Sequence, residues 1–291
     1  MWKIRKGYLE LDAPQKSSSW FLNRRRVTAS NVEKILGLST FGTKQDAIQE
    51  IIGSREKSFS PEEQRRMDLG NEMEPYYRKL HEKVCGYPIT EPSLCISLRW
   101  FDIPFGDGYL SDKYPSILKD PLHPNWFIGG SPDGIIHYPD HDENLELKYT
   151  EKGYNDLYVH HETGDYFPRY TPGKCTAYEN ELIKHNYNAR VGAIDYFSHI
   201  WRSHYFQMQT CMAITQNNNC HYGVGSPGKY YTEVVPFDFK YWTKFLYPAL
   251  IDVIENELKP VLSSDFKTSF ANEIKNIIEL NPKETVVPVY T

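Results

Sequence analysis

The sequence has few of the features that mark secreted or membrane-spanning proteins. Its 291 residues include five cysteines, and none of them form a C-x-x-C pair, so neither a disulfide framework nor a cysteine-based zinc module is expected. No run approaches the roughly eighteen consecutive apolar residues of a membrane span. The N-terminal segment also lacks the apolar core of a secretory signal. We therefore expect a soluble, intracellular protein with reduced, mostly packed cysteines and no membrane partner.

Positive charge is not in excess either. The net charge is −5, whereas proteins that coat nucleic acids non-specifically are usually basic. A catalytic groove needs only local positive charge, so this balance does not exclude an enzyme that acts on DNA. The 40% hydrophobic and 24% charged residues are ordinary for a soluble globular chain.

The chain has no internal repeat, low-complexity tract or clear linker, which predicts one domain over residues 1–291. Ser30 and Glu33 have the spacing of a capping box, and this predicts a short helix that ends at Gly37. Periodic apolar residues predict further helices over 43–52, 73–84, 201–212 and 242–258, and the last of these is expected to kink at Pro248.

Strands are predicted at 135–138 and 145–149, joined by a polar turn over 139–144, and a late strand is predicted at 234–237. The tyrosine-rich segment at about 150–195 is interpreted as an insertion, and about 240–291 as a C-terminal helical tail. Helices, then a sheet, then helices again indicate an α/β or α+β fold.

The candidate catalytic residues lie in one segment, residues 129–150, GGSPDGIIHYPDHDENLELKYT. Glu146 and Lys148 share one face of a strand, about 6.6 Å apart. Leu145, Leu147 and Tyr149 take the other face, which we expect to meet the core. Asp133 stands where the preceding strand begins, so an antiparallel return could place it beside Glu146.

Two carboxylates beside an ammonium group suit metal-assisted phosphodiester hydrolysis. The carboxylates of Asp133 and Glu146 can hold a hard cation, which lowers the pKa of a bound water and stabilises charge on the phosphate. Lys148 can orient that water or take its proton. The alternative is a surface hairpin with a cross-strand ion pair, in which Asp133-Gly134 is plain turn chemistry.

Four separated blocks decide between these interpretations. They are Trp20-x3-Arg24 with Val27-Thr-Ala-Ser-Asn31, Gly70-Asn-Glu-Met-Glu74-Pro75, Gly130-Ser-Pro-Asp-Gly134 with Leu145-Glu-Leu-Lys148, and Tyr205-Phe-Gln-Met-Gln209. In this order they resemble the lambda-exonuclease-like group, the YqaJ viral recombinase family of the PD-(D/E)xK nuclease superfamily. The resemblance implies a restriction-endonuclease-like core, with a mixed central sheet flanked by helices.

The resemblance also implies residue roles at the metal site. Asp133 and Glu146 match the metal-binding carboxylates, the Leu147 carbonyl is a further ligand, and Lys148 matches the catalytic lysine. Glu74 matches a helical acid that completes the site, and is favoured over Glu72. The alternative for Glu74 is an i,i+4 ion pair with Arg78.

Gln207 matches a glutamine on the helix that follows the active-site strand. Gln207 and Gln209 differ by about 200° around a helix, so they cannot face one site together. The resemblance selects Gln207, and the alternative is an exposed helix glutamine.

The resemblance further implies that an arginine and two hydroxyl groups hold a terminal 5′-phosphate, which suits a guanidinium and hydroxyl donors. Ser30 and Ser131 match the hydroxyl positions, although Ser30 could instead cap its helix. The spacing departs from the family pattern, so Arg24, Arg25 and Arg26 compete for the arginine position.

The activity implied by the resemblance is a Mg²⁺-dependent DNA exonuclease, with Mn²⁺ as a substitute. It would digest linear double-stranded DNA from 5′ to 3′ and leave 3′ single strands for viral or phage recombination and genome processing. Double-stranded DNA ends, a single-strand annealing protein and a homotrimer are the implied partners, in the host cytoplasm or nucleus. The alternatives are an endonuclease of the same fold and a catalytically silent DNA-binding protein on a nuclease fold. The insertion could guide DNA or form an oligomer contact.

Overall fold

The computed structural model describes residues 2–5, 7–39, 41–55, 58–98, 120–151 and 200–279. Nearly all of the predicted insertion at 150–195 and the end of the predicted tail lie outside these residues. The prediction of a single domain over the whole chain therefore stays a prediction.

The strands are β1 (Trp2–Ile4), β2 (Tyr8–Leu11), β3 (Val27–Thr28), β4 (Ile89–Thr90), β5 (Cys95–Ser97), β6 (Ile128–Gly129), β7 (Gly134–His137), β8 (Asp142–Tyr149), β9 (Asn219–Ser226) and β10 (Lys229–Pro236). The helices are α1 (Ser18–Asn23), α2 (Val32–Ile35), α3 (Lys44–Ile52), α4 (Pro61–Cys85), α5 (Arg202–Thr215) and α7 (Ser264–Glu279). Between α5 and α7, a continuous helical run, α6, joins Phe239–Tyr241, Trp242–Leu246, Tyr247–Val253, Ile254–Leu258 and Lys259–Val261.

A five-stranded mixed sheet, in the order β10-β9-β8-β7-β4, forms the centre of the fold. β8 pairs in parallel with β9 and antiparallel with β7, while β9–β10 and β4–β7 are antiparallel. Two smaller sheets, β1-β2-β5 and β3-β6, accompany it. The mixed sheet with helices on both of its faces confirms the predicted fold class.

The two faces of this sheet meet different cores. Leu145 and Leu147 pack against Tyr77 of α4 in the smaller cluster. The larger core contains Tyr222 of β9 and Met208 of α5, on the face that carries Glu146. The prediction that Leu145, Leu147 and Tyr149 face the core was therefore incomplete, since helices cover both faces and Glu146 is itself buried.

Helix ends follow the capping residues where the sequence supplies them. Thr43 and Asp46 form a capping box at the start of α3, and Gly53 ends that helix with a left-handed φ of 76°. The predicted capping role of Ser30 was wrong. A 3₁₀ turn over Ala29–Asn31 precedes α2, whose N-cap is Asn31, and the Ser30 hydroxyl accepts a hydrogen bond from Arg24 instead.

Helix α6 contains a wider, π-helical turn before each of its two prolines. Pro248 follows the turn over Trp242–Leu246, and Pro260 follows the turn over Ile254–Leu258. Proline cannot donate to the carbonyl four residues earlier and its ring collides with that carbonyl. In both cases that carbonyl lies inside the π-helical turn, so the irregularity expected at Pro248 takes the form of a wider turn.

Sequence periodicity did not predict β9, a central strand. It contains two glycines, which ordinarily weaken a strand. A Cβ at Gly225 would stand 2.2 Å from the ring of Tyr77, and a Cβ at Gly223 would stand 2.3 Å from the hydroxyl of Tyr230. Both glycines are therefore needed because tyrosine side chains cover the strand closely.

Candidate active site

The site lies where strand β8 extends past its neighbour β7. Backbone pairing of the two strands begins at Gly134 and Leu145, so the later residues of β8 have no β7 backbone opposite them. The Asp133 carboxylate takes that place, and it accepts a hydrogen bond from the backbone N–H of Leu147 at 2.7 Å. An acidic side chain thereby lies against an open strand edge.

Glu146 and Lys148 form an ion pair on the same face of β8. The Glu146 side chain is 1% exposed, whereas that of Lys148 is 23% exposed. The predicted hairpin therefore brings Asp133, Glu146 and Lys148 together, and it does so in a buried setting rather than as a surface ion pair.

Glu74 approaches from helix α4, which covers the opposite face of the sheet. Its carboxylate pairs with Arg78 one turn later, as the alternative interpretation required. Arg78 also donates from Nε to the carbonyl of Asp133 at 2.8 Å. The ion pair therefore holds Glu74 beside Asp133, so the two interpretations of Glu74 are compatible. Glu72, in contrast, is exposed on the helix surface.

An open cleft of about 370 Å³ lies between α4 and the end of β8. Glu74, Asp133 and Lys148 supply its charged lining, and the remaining lining residues are Met67, Gly70, Asn71, Tyr77, Leu147 and Tyr149. Because Pro75 has no N–H, the carbonyl of Asn71 lacks its usual helical donor at this cleft.

Burial and mutual repulsion set the protonation of the carboxylates. Burial raises the pKa of Glu146 to about 8, and the charge of Asp133 adds to the increase. Burial likewise raises the pKa of Glu74 to about 7, again with a contribution from Asp133. Burial also raises the pKa of Asp133, against the opposing charge of Lys148. A cation bound between these carboxylates would offset the repulsion between their negative charges.

The donor chemistry of the site fits a hard divalent cation. The carboxylates of Asp133, Glu146 and Glu74 and the carbonyl of Leu147 are oxygen donors, which Mg²⁺ prefers. Within the described ranges, no three acidic, histidine or cysteine side chains are already arranged around one metal position. Lys148 and Arg78 instead hold the carboxylates of Glu146 and Glu74, so metal binding would compete with these ion pairs.

Gln207 lies on the helix face that runs along β8. Thr215, Cys211 and Gln207 follow one another at four-residue intervals on α5. The Thr215 hydroxyl donates to the Asn144 side chain at 2.9 Å. Burial and the charge of Glu146, which follows Asn144 on the same strand face, raise the pKa of the Cys211 thiol. One further turn of α5 leads from Cys211 to Gln207, in the direction of the Lys148 end of the strand.

Gln209 has a structural role that removes it from consideration at the site. Its side chain is fully buried, donates to the carbonyl of Pro236 at 3.0 Å and accepts from the backbone N–H of Asp238 at 2.8 Å. Gln209 therefore fastens α5 to the end of β10. Gln207 is half-buried, and the site role that the resemblance implies for it stays a prediction.

A second cluster gathers the residues predicted to hold a 5′-phosphate. The guanidinium of Arg24 lies 4.2 Å from the centre of the Trp20 ring and donates to Ser30 at 3.0 Å. The indole N–H of Trp20 donates to Ser131 at 3.3 Å, and Ser131 is two residues from Asp133. Trp20 therefore contacts the predicted arginine and Ser131, and the arginine in turn contacts Ser30. We call Arg24, Ser30 and Ser131 the hydroxyl–arginine cluster.

Burial lowers the pKa of Arg24 to about 10, so its guanidinium stays charged at neutral pH. No carboxylate among the described residues lies within 4.0 Å of it. The positive charge is thus half-buried without an anionic partner from the described part of the chain, which suits the binding of an anion.

The structure separates the three candidate arginines. Arg26 is fully buried, pairs with Glu273 of α7 and donates to the carbonyls of Trp126 at 2.5 Å and Asn23 at 3.0 Å. Its guanidinium is thereby used in packing, so the expectation that it could meet a phosphate is not supported. Arg25 is exposed and lines a separate cavity with Arg26 and Glu273. Arg24 is the arginine that points to the hydroxyl groups.

A family model described as the YqaJ-like viral recombinase domain matches residues 19–218. The chain belongs to the YqaJ-like viral recombinase family. Membership confirms the resemblance stated from the four blocks and supports a DNA exonuclease of the lambda-exonuclease type. Nucleases of that type depend on divalent metals.

Among solved structures, the chain is similar to the crystal structure of an alkaline exonuclease, LHK-Exo, from Laribacter hongkongensis. The identity is 20%, the match covers 92% of this chain and 97% of that chain, and the TM-score is 0.43. The structure of LHK-Exo in complex with dAMP matches with the same identity and coverage and a TM-score of 0.42. No curated protein sequence matches the chain significantly. Within the described ranges, no helix is long and apolar enough to cross a membrane.

Sequence reasoning missed the wider role of Arg78, which was considered only as a partner of Glu74. In the structure it contacts Glu74, Glu91 and the Asp133 carbonyl, so it joins α4 to the loop that carries Asp133. Its i,i+4 spacing from Glu74 was the signal, but the backbone contact depends on tertiary packing.

Proposed function

We propose that this chain is a metal-dependent exonuclease that digests linear double-stranded DNA from the 5′ end. The observation that carries the proposal is the convergence of Asp133, Glu146, Lys148 and Glu74 at the open edge of β8. The hydroxyl–arginine cluster stands beside them, because Ser131 and Asp133 belong to one short loop.

The carboxylates of Asp133, Glu146 and Glu74 and the Leu147 carbonyl would hold Mg²⁺, with Mn²⁺ as a substitute. The bound cation supplies stabilisation of phosphate charge and a water of lowered pKa. Asp133 is fixed for this role by the Leu147 N–H, and Glu74 is fixed by Arg78. Calcium would bind the same oxygens with looser geometry and support binding without cleavage.

Lys148 acts as a cation in this proposal. Burial alone would lower its pKa, but the charges of Glu146 and Asp133 more than offset burial and raise the pKa overall. A lysine that keeps its proton suits orientation of the attacking water and neutralisation of the phosphate better than proton abstraction. Gln207, on the facing turn of α5, is suited to orient the same water.

The hydroxyl–arginine cluster would define the polarity of digestion. A terminal phosphate carries more negative charge than a phosphodiester, and a guanidinium flanked by hydroxyl groups can bind several of its oxygens. With the terminal phosphate bound there, the next bond of the same strand would lie toward Asp133. Digestion would then proceed from 5′ to 3′ and leave a 3′ single strand.

We also propose a biological role, a partner and an oligomeric state for this chain. A 3′ single strand is the substrate for annealing, so a single-strand annealing protein is the proposed partner, in viral or phage recombination and genome processing. A homotrimer that encloses the DNA is proposed from the family resemblance.

Three DNA substrates test the proposal with the purified chain and magnesium. A linear duplex labelled at the 5′ end should release labelled mononucleotide at once, whereas the same duplex labelled at the 3′ end should release its label late. A covalently closed duplex should resist digestion. Cleavage of the closed duplex at a rate similar to the linear one would favour an endonuclease of this fold instead.

A further inference from the structure

Gly70 lies inside helix α4, where glycine is unfavourable. In a helix interior only proline is less favourable, because glycine loses more backbone freedom on folding than any other residue. The φ angle of Gly70 is not in the left-handed region, so alanine could adopt the same backbone. Backbone conformation therefore does not account for a glycine at this position.

Packing within the described part of the chain does not require this glycine either. A Cβ atom at Gly223 or Gly225 would collide with a tyrosine side chain. A Cβ atom at Gly70, in contrast, would have no described heavy atom within 4 Å, apart from its chain neighbours and the backbone of its own helix. The space beside Gly70 is open.

This open space belongs to the cleft of the candidate active site. Met67, Gly70 and Glu74 follow one another on α4 at intervals of three and four residues, so they lie on one face of the helix. All three line the cleft. A side chain at position 70 would therefore project into the cleft, about 6 Å along the helix axis from Glu74.

The lining of the cleft changes from charged to uncharged along α4. Glu74, Asp133 and Lys148 form its charged part, which suits a phosphate and its metal ion. Gly70 and Met67, on the preceding turns of the helix, carry no charge. An uncharged surface beside a phosphate site suits the sugar and base of the nucleotide that carries the phosphate.

The residue after Gly70 adds a hydrogen-bond acceptor to this surface. Asn71 also lines the cleft, and its carbonyl would ordinarily accept from the backbone N–H of residue 75. Residue 75 is a proline, which has no N–H to donate. The helix thus presents a bare backbone with an available acceptor to whatever occupies the cleft.

We propose that the deoxyribose and base of a nucleotide next to the scissile phosphate pack against the bare backbone of α4 at Gly70. This inference rests on the proposed nuclease function and adds to it a substrate-binding surface on the helix that carries Glu74. Glycine is kept there because any side chain would occupy the space of the nucleotide. The contact reads the shape of a nucleotide rather than the edge of a particular base, so it carries no sequence preference.

The decisive variant is Gly70→Ala, because its effects on stability and on substrate binding should have opposite signs. Its thermal unfolding midpoint should rise by about 2 °C, since alanine is the better helix residue and its methyl group meets open space. The variant should bind linear duplex about tenfold more weakly in calcium, with KM raised by a similar factor in magnesium, because the methyl group overpacks the contact with the nucleotide.

A larger side chain separates loss of space from loss of helix flexibility. Gly70→Leu should weaken duplex binding at least tenfold further than Gly70→Ala if the nucleotide needs the space. If the reaction needs a flexible helix instead, alanine and leucine should cause equal losses, and that result would refute the contact. Glu72→Leu is the matched control, because it places the same side chain on the exposed face of α4, about 200° around the helix from Gly70. It should bind duplex no more weakly than the wild type.

The outcomes are separable from failure of the nuclease proposal. If the wild type digests linear duplex and both Gly70 variants match Glu72→Leu in affinity and KM, the contact at Gly70 is refuted and the nuclease proposal stands. If the wild type neither binds nor digests linear duplex, both proposals are refuted.

Discussion

The guanidinium of Arg24 is stacked on the indole ring of Trp20, and that indole donates a hydrogen bond to Ser131. One aromatic side chain thus joins a cation before β3 to a hydroxyl group in the loop that carries Asp133. The stacking fixes the guanidinium plane, which leaves less side-chain freedom to lose when an anion binds.

Arg24→Ala should reduce the preference for a 5′-phosphorylated duplex over its 5′-hydroxyl counterpart. A hydrogen bond to a charged group is worth about 1.5–3 kcal/mol, which corresponds to roughly 10- to 150-fold in relative rate. The initial rates on the two duplexes measure the effect, and Arg25→Ala is the matched control, expected to keep the wild-type preference. Equal wild-type rates on both duplexes would count against the phosphate role.

Arg26→Ala should destabilise the fold rather than alter end preference. Arg26 is 1% exposed, whereas Glu273 is 27% exposed, so the ion pair is only partly shielded from water. Loss of the pair and of the hydrogen bonds to two carbonyls should cost about 3 kcal/mol, near the lower end for a broken buried pair. Chemical unfolding measures the change, with Arg25→Ala expected to stay within about 0.5 kcal/mol of the wild type. A similarly small change for Arg26→Ala would show that α7 is held by other contacts.

Glu74→Gln should lower activity by on the order of 10²-fold or more, while Glu72→Gln should have little effect. The two residues lie on the same helix two positions apart, but Glu74 borders the cleft and Glu72 is exposed. The rate of single-turnover digestion of a linear duplex measures both effects. Both changes are Glu→Gln on the same helix, so they alter side-chain chemistry and helix propensity to nearly the same extent. A larger loss for Glu72→Gln would mean that the register of α4 at the site is wrong.

Affinity for divalent metal should rise as the pH increases through about 7 to 8. Burial, helped by the charge of Asp133, raises the pKa of Glu146 to about 8 and that of Glu74 to about 7. A raised pKa means that the carboxylate keeps its proton up to that pH, and the proton must leave before the metal binds. Below the pKa, affinity should therefore increase by up to about tenfold per pH unit for each proton released.

Calorimetric titration with calcium between pH 6 and pH 9 measures this dependence. Glu146→Gln should weaken binding and flatten the pH dependence, because the group with the higher pKa has been removed. An affinity that is independent of pH in the wild type would contradict the proposed ligands.

Much of the fold was predictable where capping residues or an alternating pattern mark an element within a short stretch of sequence. The helix predicted over 43–52 corresponds to α3, whose ends are set locally by the Thr43–Asp46 capping box and by Gly53. The hairpin of β7 and β8 followed from alternating residues around a polar turn. The strand β9 was not predictable, because the tyrosines that require Gly223 and Gly225 come from α4 and β10.

The candidate site also has a part that was predictable from sequence and a part that was not. Asp133, Glu146 and Lys148 lie within one hairpin, so strand alternation alone could bring them together. Three consecutive arginines are indistinguishable in sequence, and Arg26 is removed from the phosphate role by Glu273, a residue 247 positions later. The burial of Glu146 could not be predicted either, because it depends on the packing of α5 against that face of β8.

The most direct test of the account is digestion of a linear, 5′-phosphorylated duplex by the wild type and by Asp133→Asn, Glu146→Gln and Lys148→Ala, with magnesium and with excess EDTA. The wild type should release mononucleotides with magnesium alone. Each variant should lose on the order of 10³-fold or more in rate, and a double variant should lose no more than the worse single one, because the groups act as one unit. Circular dichroism should show that each variant stays folded. Wild-type digestion in EDTA, or variants that digest as fast as the wild type, would contradict the account.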